Sequence, residues 1–211
     1  MSKLLEQMQK DLYQGNVDEV KAATEKALAE GMPASDILND GLIAGMDEVG
    51  VDFKAGDLFI PEVLIAAKAM HAGLDVLRPL LAELGVATRG KIVIGTVAGD
   101  LHDIGKNLVA MMIEGAGFEI VDLGTGVTPE NFVKAVRDEG AGLLGMSALL
   151  TTTMPAMQTT IEALVEAGLR DKVKVLVGGA PVTADFAKKI GADAYAADAA
   201  SAVDTARDLT A

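Results

Sequence analysis

From Lys91 onward, five short apolar runs alternate with segments of helical length, and this alternation narrows the possible folds more than any other feature. The runs are KIVIGTV, FEIVDL, GLLGMS, KVLVGG and ADAYAA. They lack the in–out polarity of half-exposed strands, so they read as strands buried on both faces of a parallel sheet. The helices between them centre on 104–116, 129–139, 155–168 and 183–190, and a last one covers about 200–209. Five strands in this arrangement fit the doubly wound order 2-1-3-4-5, with helices on both faces.

Residues 1–84 have a different rhythm, with helical periodicity and no credible strand. After a short N-terminal helix, NVDEVKAATEKALAEG opens with Asn16 and Glu19 in capping-box spacing and stops at Gly31. PASDILNDGLIAGMDEVG starts at Pro33 and ends at Gly50. PEVLIAAKAMHAGLDVLRPLLAELG starts at Pro61, with Pro79 expected to bend or interrupt it near Arg78. Four helices suffice for a small antiparallel bundle. The linker GVATRG then separates two domains, 1–88 and 89–211. No repeat or low-complexity segment is visible.

Composition removes several classes of function. There is no cysteine, hence no disulfide, thiolate metal site or cysteine nucleophile, which suits a reducing cytoplasm. The N-terminus lacks the apolar run of a signal peptide, and no segment reaches transmembrane length, so a cytoplasmic protein without membrane attachment is expected. The net charge of −13 is shared by both halves, and there is no tryptophan. A basic patch and stacking platforms are both missing, which argues against nucleic acid.

In a 2-1-3-4-5 sheet, ligands bind outside the carboxyl ends of the strands, near the point where the order reverses. The unusual residues fall at those ends. GDLHDIGKNLV (99–109) follows the first strand and contains one of only two histidines, His102. Ser147, Leu149 and the threonines 151–153 follow the third strand, and Gly178 and Gly179 close the fourth. The turn VAGDLHDIG is not the G-x-G-x-x-G of a dinucleotide fold, GTG at 124–126 lacks the third glycine, and no P-loop lysine motif is present. His71 lies in the helical half, so a multi-histidine metal centre fails. What remains is a single histidine beside a carboxylate. Asp100 can hold one imidazole nitrogen and leave the other free to bind a metal. A ligand that already brings four equatorial metal bonds needs one histidine, and glycines let an extended tail lie against bare backbone. Asp103 and Lys106 are expected to face solvent in a first helical turn, His71 to be structural or exposed, and the methionines to fill core.

Asp100-Leu101-His102-Asp103-Ile104-Gly105, then 41 residues, Ser147-Ala148-Leu149, then 28 residues, then Gly178-Gly179, resembles the D-x-H-x-x-G, S-x-L, G-G pattern of a known family. That family is the cobalamin-binding module of methionine synthase and of corrinoid proteins in methyltransferase systems. The similarity spans nearly the whole chain, because DFKAGDLFIPEV (52–63) is similar to the helical cap segment that lies over the corrin. The resemblance implies an α plus α/β architecture: a four-helix cap followed by a flavodoxin- or Rossmann-like five-stranded parallel sheet.

It also implies roles. His102 would be the lower axial ligand to cobalt in a base-off, His-on cofactor, with Asp100 on its other nitrogen and Thr153 at the position of the relay serine. Gly99, Leu101, Asp103, Ile104 and Gly105 complete the motif turn. Ser147, Leu149 and Thr151 match residues at the buried nucleotide tail, Gly178 and Gly179 those that let it pass, and Ala199 a further cofactor contact. Phe53, Ile60 and Val63 match cap positions that shield the upper face. The implied cofactor is cobalamin or another corrinoid, alternating between methylcobalamin and cob(I)alamin. The implied partners are a substrate-specific methyltransferase, a second methyltransferase delivering the methyl group to tetrahydrofolate or a thiol such as coenzyme M, and a reductive activase. The chain would be a methyl carrier, one component of an enzyme system. A cobalamin-dependent sensor and the small subunit of an adenosylcobalamin mutase are the rival readings. Sensors usually add a DNA-binding domain and a tryptophan over the upper face, and mutase subunits normally lack such a cap.

Overall fold

The computed structural model describes residues 2–84 and 88–210. The chain divides into two compact units, Met1–Ala87 with Gly115–Gly117, and Thr88–Glu114 with Phe118–Ala211. The first half of the expected linker, 85–87, lies outside the described residues.

The first unit is helical. In α1 (Lys3–Tyr13) the Ser2 hydroxyl caps the N-terminus by accepting from Leu4 N–H, and the buried Leu5, Met8 and Leu12 form one stripe. In α2 (Val17–Ala29) Val20, Thr24 and Ala27 are buried. The capping box expected at Asn16 does not form. The Asn16 amide instead donates to Asp11 Oδ1 and Gln14 Oε1, both at 3.2 Å, which ties the turn to α1. The third helical rod begins as α3 (Ala34–Asp36), widens into a π-helical stretch (Ile37–Ile43) and continues as α4 (Ala44–Ala55). Gly41 in the wide stretch lies against α1, where an added Cβ would come within 2.7 Å of Met8 Sδ.

Two expected helix boundaries are not observed. Gly50 does not end its helix. The rod runs on until Gly56, whose left-handed backbone (φ 84°) carries the cap. A glycine costs a helix only about 1 kcal/mol, and stops it where the chain needs positive φ. Pro79 does not interrupt α5 (Ile60–Glu83) either. The carbonyl that Pro79 leaves without a donor belongs to Asp75, and both residues are exposed, so water can satisfy it.

The second unit holds β1 (Lys91–Thr96), α6 (Ile104–Gly115), β2 (Glu119–Asp122), α7 (Pro129–Glu139), β3 (Leu143–Ser147) and α8 (Pro155–Glu166), then β4 (Lys174–Gly178), α9 (Ala184–Ile190), β5 (Ala194–Ala196) and α10 (Ala199–Thr210). The strands are all parallel in the order β2-β1-β3-β4-β5, as the alternation predicts. Val93, Leu144, Val175 and Val177 pack with Phe132, Met157 and Leu164 of α7 and α8 into one core. The alternate strand positions Ile92, Ile94, Leu143 and Leu176 are buried too, which is why the strands read as unbroken apolar runs. Gly95 makes room for Phe132, whose ring would lie 2.9 Å from an added Cβ.

Candidate cofactor site

Sheet register assembles the site. Thr96 pairs with Ser147, Ser147 with Gly178, and Gly178 with Ala196, so the ends of four strands lie side by side at one edge. This brings together the three motif elements that the sequence holds far apart.

After β1 the chain turns sharply: Asp100 N–H donates to Val97 O at 3.1 Å, and Gly99 takes φ 81°, the left-handed region where glycine is least strained. The turn delivers Asp100 into the interior, with none of its surface exposed. Its Oδ1 accepts from His102 Nδ1 at 2.7 Å and from His102 N–H at 3.1 Å. Its Oδ2 accepts from Leu149 N–H at 2.7 Å, Leu150 N–H at 3.3 Å and the Thr153 hydroxyl at 2.7 Å. Leu150 O also lies 2.9 Å from that hydroxyl, but its single proton favours the charged acceptor. Burial pushes the Asp100 carboxyl up, yet the donated bonds, led by Leu149 N–H, outweigh it and hold the group well below the usual carboxylate range.

An ionised Asp100 only accepts, so the network assigns the proton of a neutral His102 to Nδ1 and leaves the lone pair on Nε2. The His102 side chain is 52% exposed, and Nε2 has no partner among the described residues. On the same two loops Leu101 and Ile104 are 78% and 74% exposed, and Leu149 and Leu150 are also open. A water-facing imidazole acceptor on loops that expose four aliphatic side chains fits a large, mostly apolar ligand that carries a metal at its centre. Gly105 has open space where a Cβ would sit, and Ser147 Oγ makes no bond among the described residues.

Other expected residues have different settings. Asp103 and Thr151 are exposed and Ala199 is buried. Gly179 is required by the fold itself: with φ 123°, an added Cβ would come 2.0 Å from Ala148 O. At Gly178 an added Cβ would lie 3.1 Å from Ala196 O, tighter than an ordinary contact. In the helical unit Val63 is wholly buried, Phe53 half-buried and Ile60 exposed. Lys106 is not solvent-facing as expected. Its side chain is 1% exposed and paired with Asp122.

Sequence reasoning missed Leu150 and three backbone supports. The buried Thr96 hydroxyl donates to His102 O at 2.8 Å, Gly126 N–H donates to Asp100 O at 2.9 Å, and Gly124 O accepts from Thr96 N–H at 2.9 Å. A threonine closing an apolar strand just before the motif was the available signal.

Two family profiles, both described as B12 binding domain, match residues 4–78 and 90–205. The chain belongs to the family of cobalamin-binding corrinoid proteins of methyltransferase systems. It is 48% identical over 209 residues to the dimethylamine corrinoid protein of Methanosarcina barkeri, covering 99% of this chain and 98% of that one. It is 50% identical over 195 residues to dimethylamine corrinoid protein 1 of Methanosarcina acetivorans, covering 92% and 91%. Among solved structures it is similar to the methanol:cobalamin methyltransferase complex MtaBC of M. barkeri (TM-score 0.89, 31% identity, 99% of this chain and 80% of that one). A cobalamin-binding protein from Desulfitobacterium hafniense matches with TM-score 0.80 and 32% identity over 97% and 98%. A corrinoid is therefore the cofactor of this chain. No helix among the described residues is long and apolar enough to cross a membrane.

Proposed function

We propose that this chain is a cytoplasmic methyl carrier that holds its corrinoid base-off and His-on, with His102 Nε2 as the lower axial ligand. One observation carries this: a half-exposed imidazole with Nδ1 pinned to a buried carboxylate and Nε2 unpartnered at the sheet edge. When bound, the corrinoid supplies a cobalt that accepts and gives up a methyl group as its oxidation state changes. The protein's part is to present and tune the imidazole. Asp100 fixes its tautomer and ring direction, and Thr153 with the Leu149 amide holds Asp100 in place. Leu101, Ile104, Leu149 and Leu150 offer apolar contact and limit water. Ser147, Gly105, Gly178 and Thr151 border the edge that would take the nucleotide tail, with Gly99, Asp103 and Ala199 near it. Phe53 and Ile60, which have exposed surface, would be the cap residues that shield the methyl-bearing face, whereas Val63 is wholly buried in the bundle.

Dimethylamine corrinoid proteins at close to half identity support a methylamine as the methyl source, loaded by a substrate-specific methyltransferase. A second methyltransferase would take the methyl group to a thiol or tetrahydrofolate, and a reductive activase would rescue oxidised cofactor. The test is to load wild type and His102→Gly with cob(II)alamin and record paramagnetic resonance, then offer dimethylamine with a methyltransferase that demethylates it. Wild type should show axial-nitrogen splitting and become methylated, while the variant lacks the splitting. Identical spectra, or no corrinoid uptake by wild type, would overturn the proposal.

A further inference from the structure

Lys106 lies in the first turn of α6, four residues after His102, where the positive end of the helix dipole disfavours a cation. Its side chain is nonetheless buried, so it needs a strong partner. That partner is Asp122 Oδ2 at the end of β2, with Asn107 Oδ1 at 2.6 Å as a second acceptor. Among the described residues no direct hydrogen bond joins Lys106 or Asp122 to Asp100 or His102, yet a series of hydrogen bonds links them in a ring. Asp122 Oδ1 accepts from Gly124 N–H at 2.8 Å, Gly124 O accepts from Thr96 N–H at 2.9 Å, and the Thr96 hydroxyl donates to His102 O at 2.8 Å. The chain from His102 back to Lys106 closes the ring. Gly126 N–H, in the same β2–α7 turn, holds Asp100 O.

We infer that the Lys106–Asp122 pair is a positioning device for the axial histidine. It clamps the β2–α7 turn against the motif loop and so sets how far the His102 imidazole stands out from the sheet edge. This rests on the His-on reading above. An axial bond tolerates little change in height, and groups that orient a ligand from behind typically matter about tenfold or more for metal binding.

The experiment uses the full chain: wild type, Lys106→Met, Asp122→Asn, the double variant, and Lys134→Met as a control at the exposed Lys134–Asp138 pair. Each is loaded with cob(II)alamin, and two readings are taken, the nitrogen splitting of its paramagnetic resonance and the melting temperature of the unloaded protein. The two single variants and the double variant should all lose the split form to the same degree, about tenfold in the ratio of His-on to His-off, because paired residues act as one unit. Lys134→Met should keep wild-type splitting. Variants that retain the splitting, or that only melt earlier, overturn this inference and leave the proposed function standing. Absence of splitting in wild type overturns both. Should Lys106→Met fail to fold, Asp122→Asn decides alone, since Asp122 is 38% exposed and the change keeps its shape.

Discussion

In the helical unit the helices bury Leu, Met, Val, Ile and Ala, and Thr24 is the one buried polar side chain among the described residues there. Its hydroxyl returns to Val20 O of its own helix at 2.8 Å. The α/β unit buries Thr96, Asp100, Lys106, Thr153 and Thr160; Thr160, like Thr24, returns to its own helix, to Ala156 O at 2.8 Å, but three of the others reach across the fold. Thr153 and Leu149 meet Asp100 from 53 and 49 residues away, and Lys106 meets Asp122 from 16 away. Local satisfaction of a polar group leaves a helix as it would otherwise be. Long-range satisfaction fixes one loop against another, which a histidine presented to a metal requires.

That contrast can be broken experimentally, because Tyr13 and Tyr195 are the only tyrosines and fall one in each unit. Fluorotyrosine labelling followed by fluorine resonance then reports the two units separately. Gly179→Ala should have the largest effect: positive φ and a 2.0 Å clash with Ala148 O predict a loss above about 3 kcal/mol, with the Tyr195 signal moving to its unfolded position. If the Tyr13 signal follows at the same temperature, the units share one transition and the comparison fails.

Asp100→Asn comes next. It confronts the Leu149, Leu150 and Thr153 donors with an amide and should cost about 3 kcal/mol by urea titration at pH 7. Because the folded state holds the Asp100 carboxyl below its ordinary 3.8, the unfolded chain binds more protons in acid. The stabilisation is complete above about pH 5 and is lost as pH falls towards the lower folded value. The gap between wild type and Asp100→Asn should therefore narrow at pH 3.

Val63→Ala should cost about 2 kcal/mol, read at Tyr13, since it empties packed space in the bundle. Smallest is Gly105→Ala, where nothing crowds a new methyl: stability should hold or rise by about 0.5 kcal/mol while cob(II)alamin affinity falls. A stability loss there would mean that Gly105, like Gly179, serves the sheet.

Strand order was legible because buried parallel strands leave unbroken apolar runs, and the Asp100–His102 pair because it follows one of them directly. Thr96, Gly126 and Asp122 were not legible, since each meets a partner that only the folded loops bring near: the Thr96 hydroxyl meets His102 O, Gly126 N–H meets Asp100 O, and the Asp122 carboxylate meets Lys106. Lys106 was misread from helix position alone. Its location at the wrong end of the dipole was the clue to a hidden carboxylate. Gly50 and Pro79 misled because both are read as stops, although a stop also depends on backbone sign and on access to water.

The wide stretch Ile37–Ile43 has a consequence for insertions and deletions. Each residue of an ordinary helix advances the chain by about 100° around the axis. The wide stretch turns less per residue, so deleting one residue there and restoring regular winding would leave everything beyond Ala44, Phe53 included, facing nearly the same way. The rod can therefore absorb a single lost codon within Ile37–Ile43, whereas the same loss in the regular turns from Ala44 on would re-aim all that follows it.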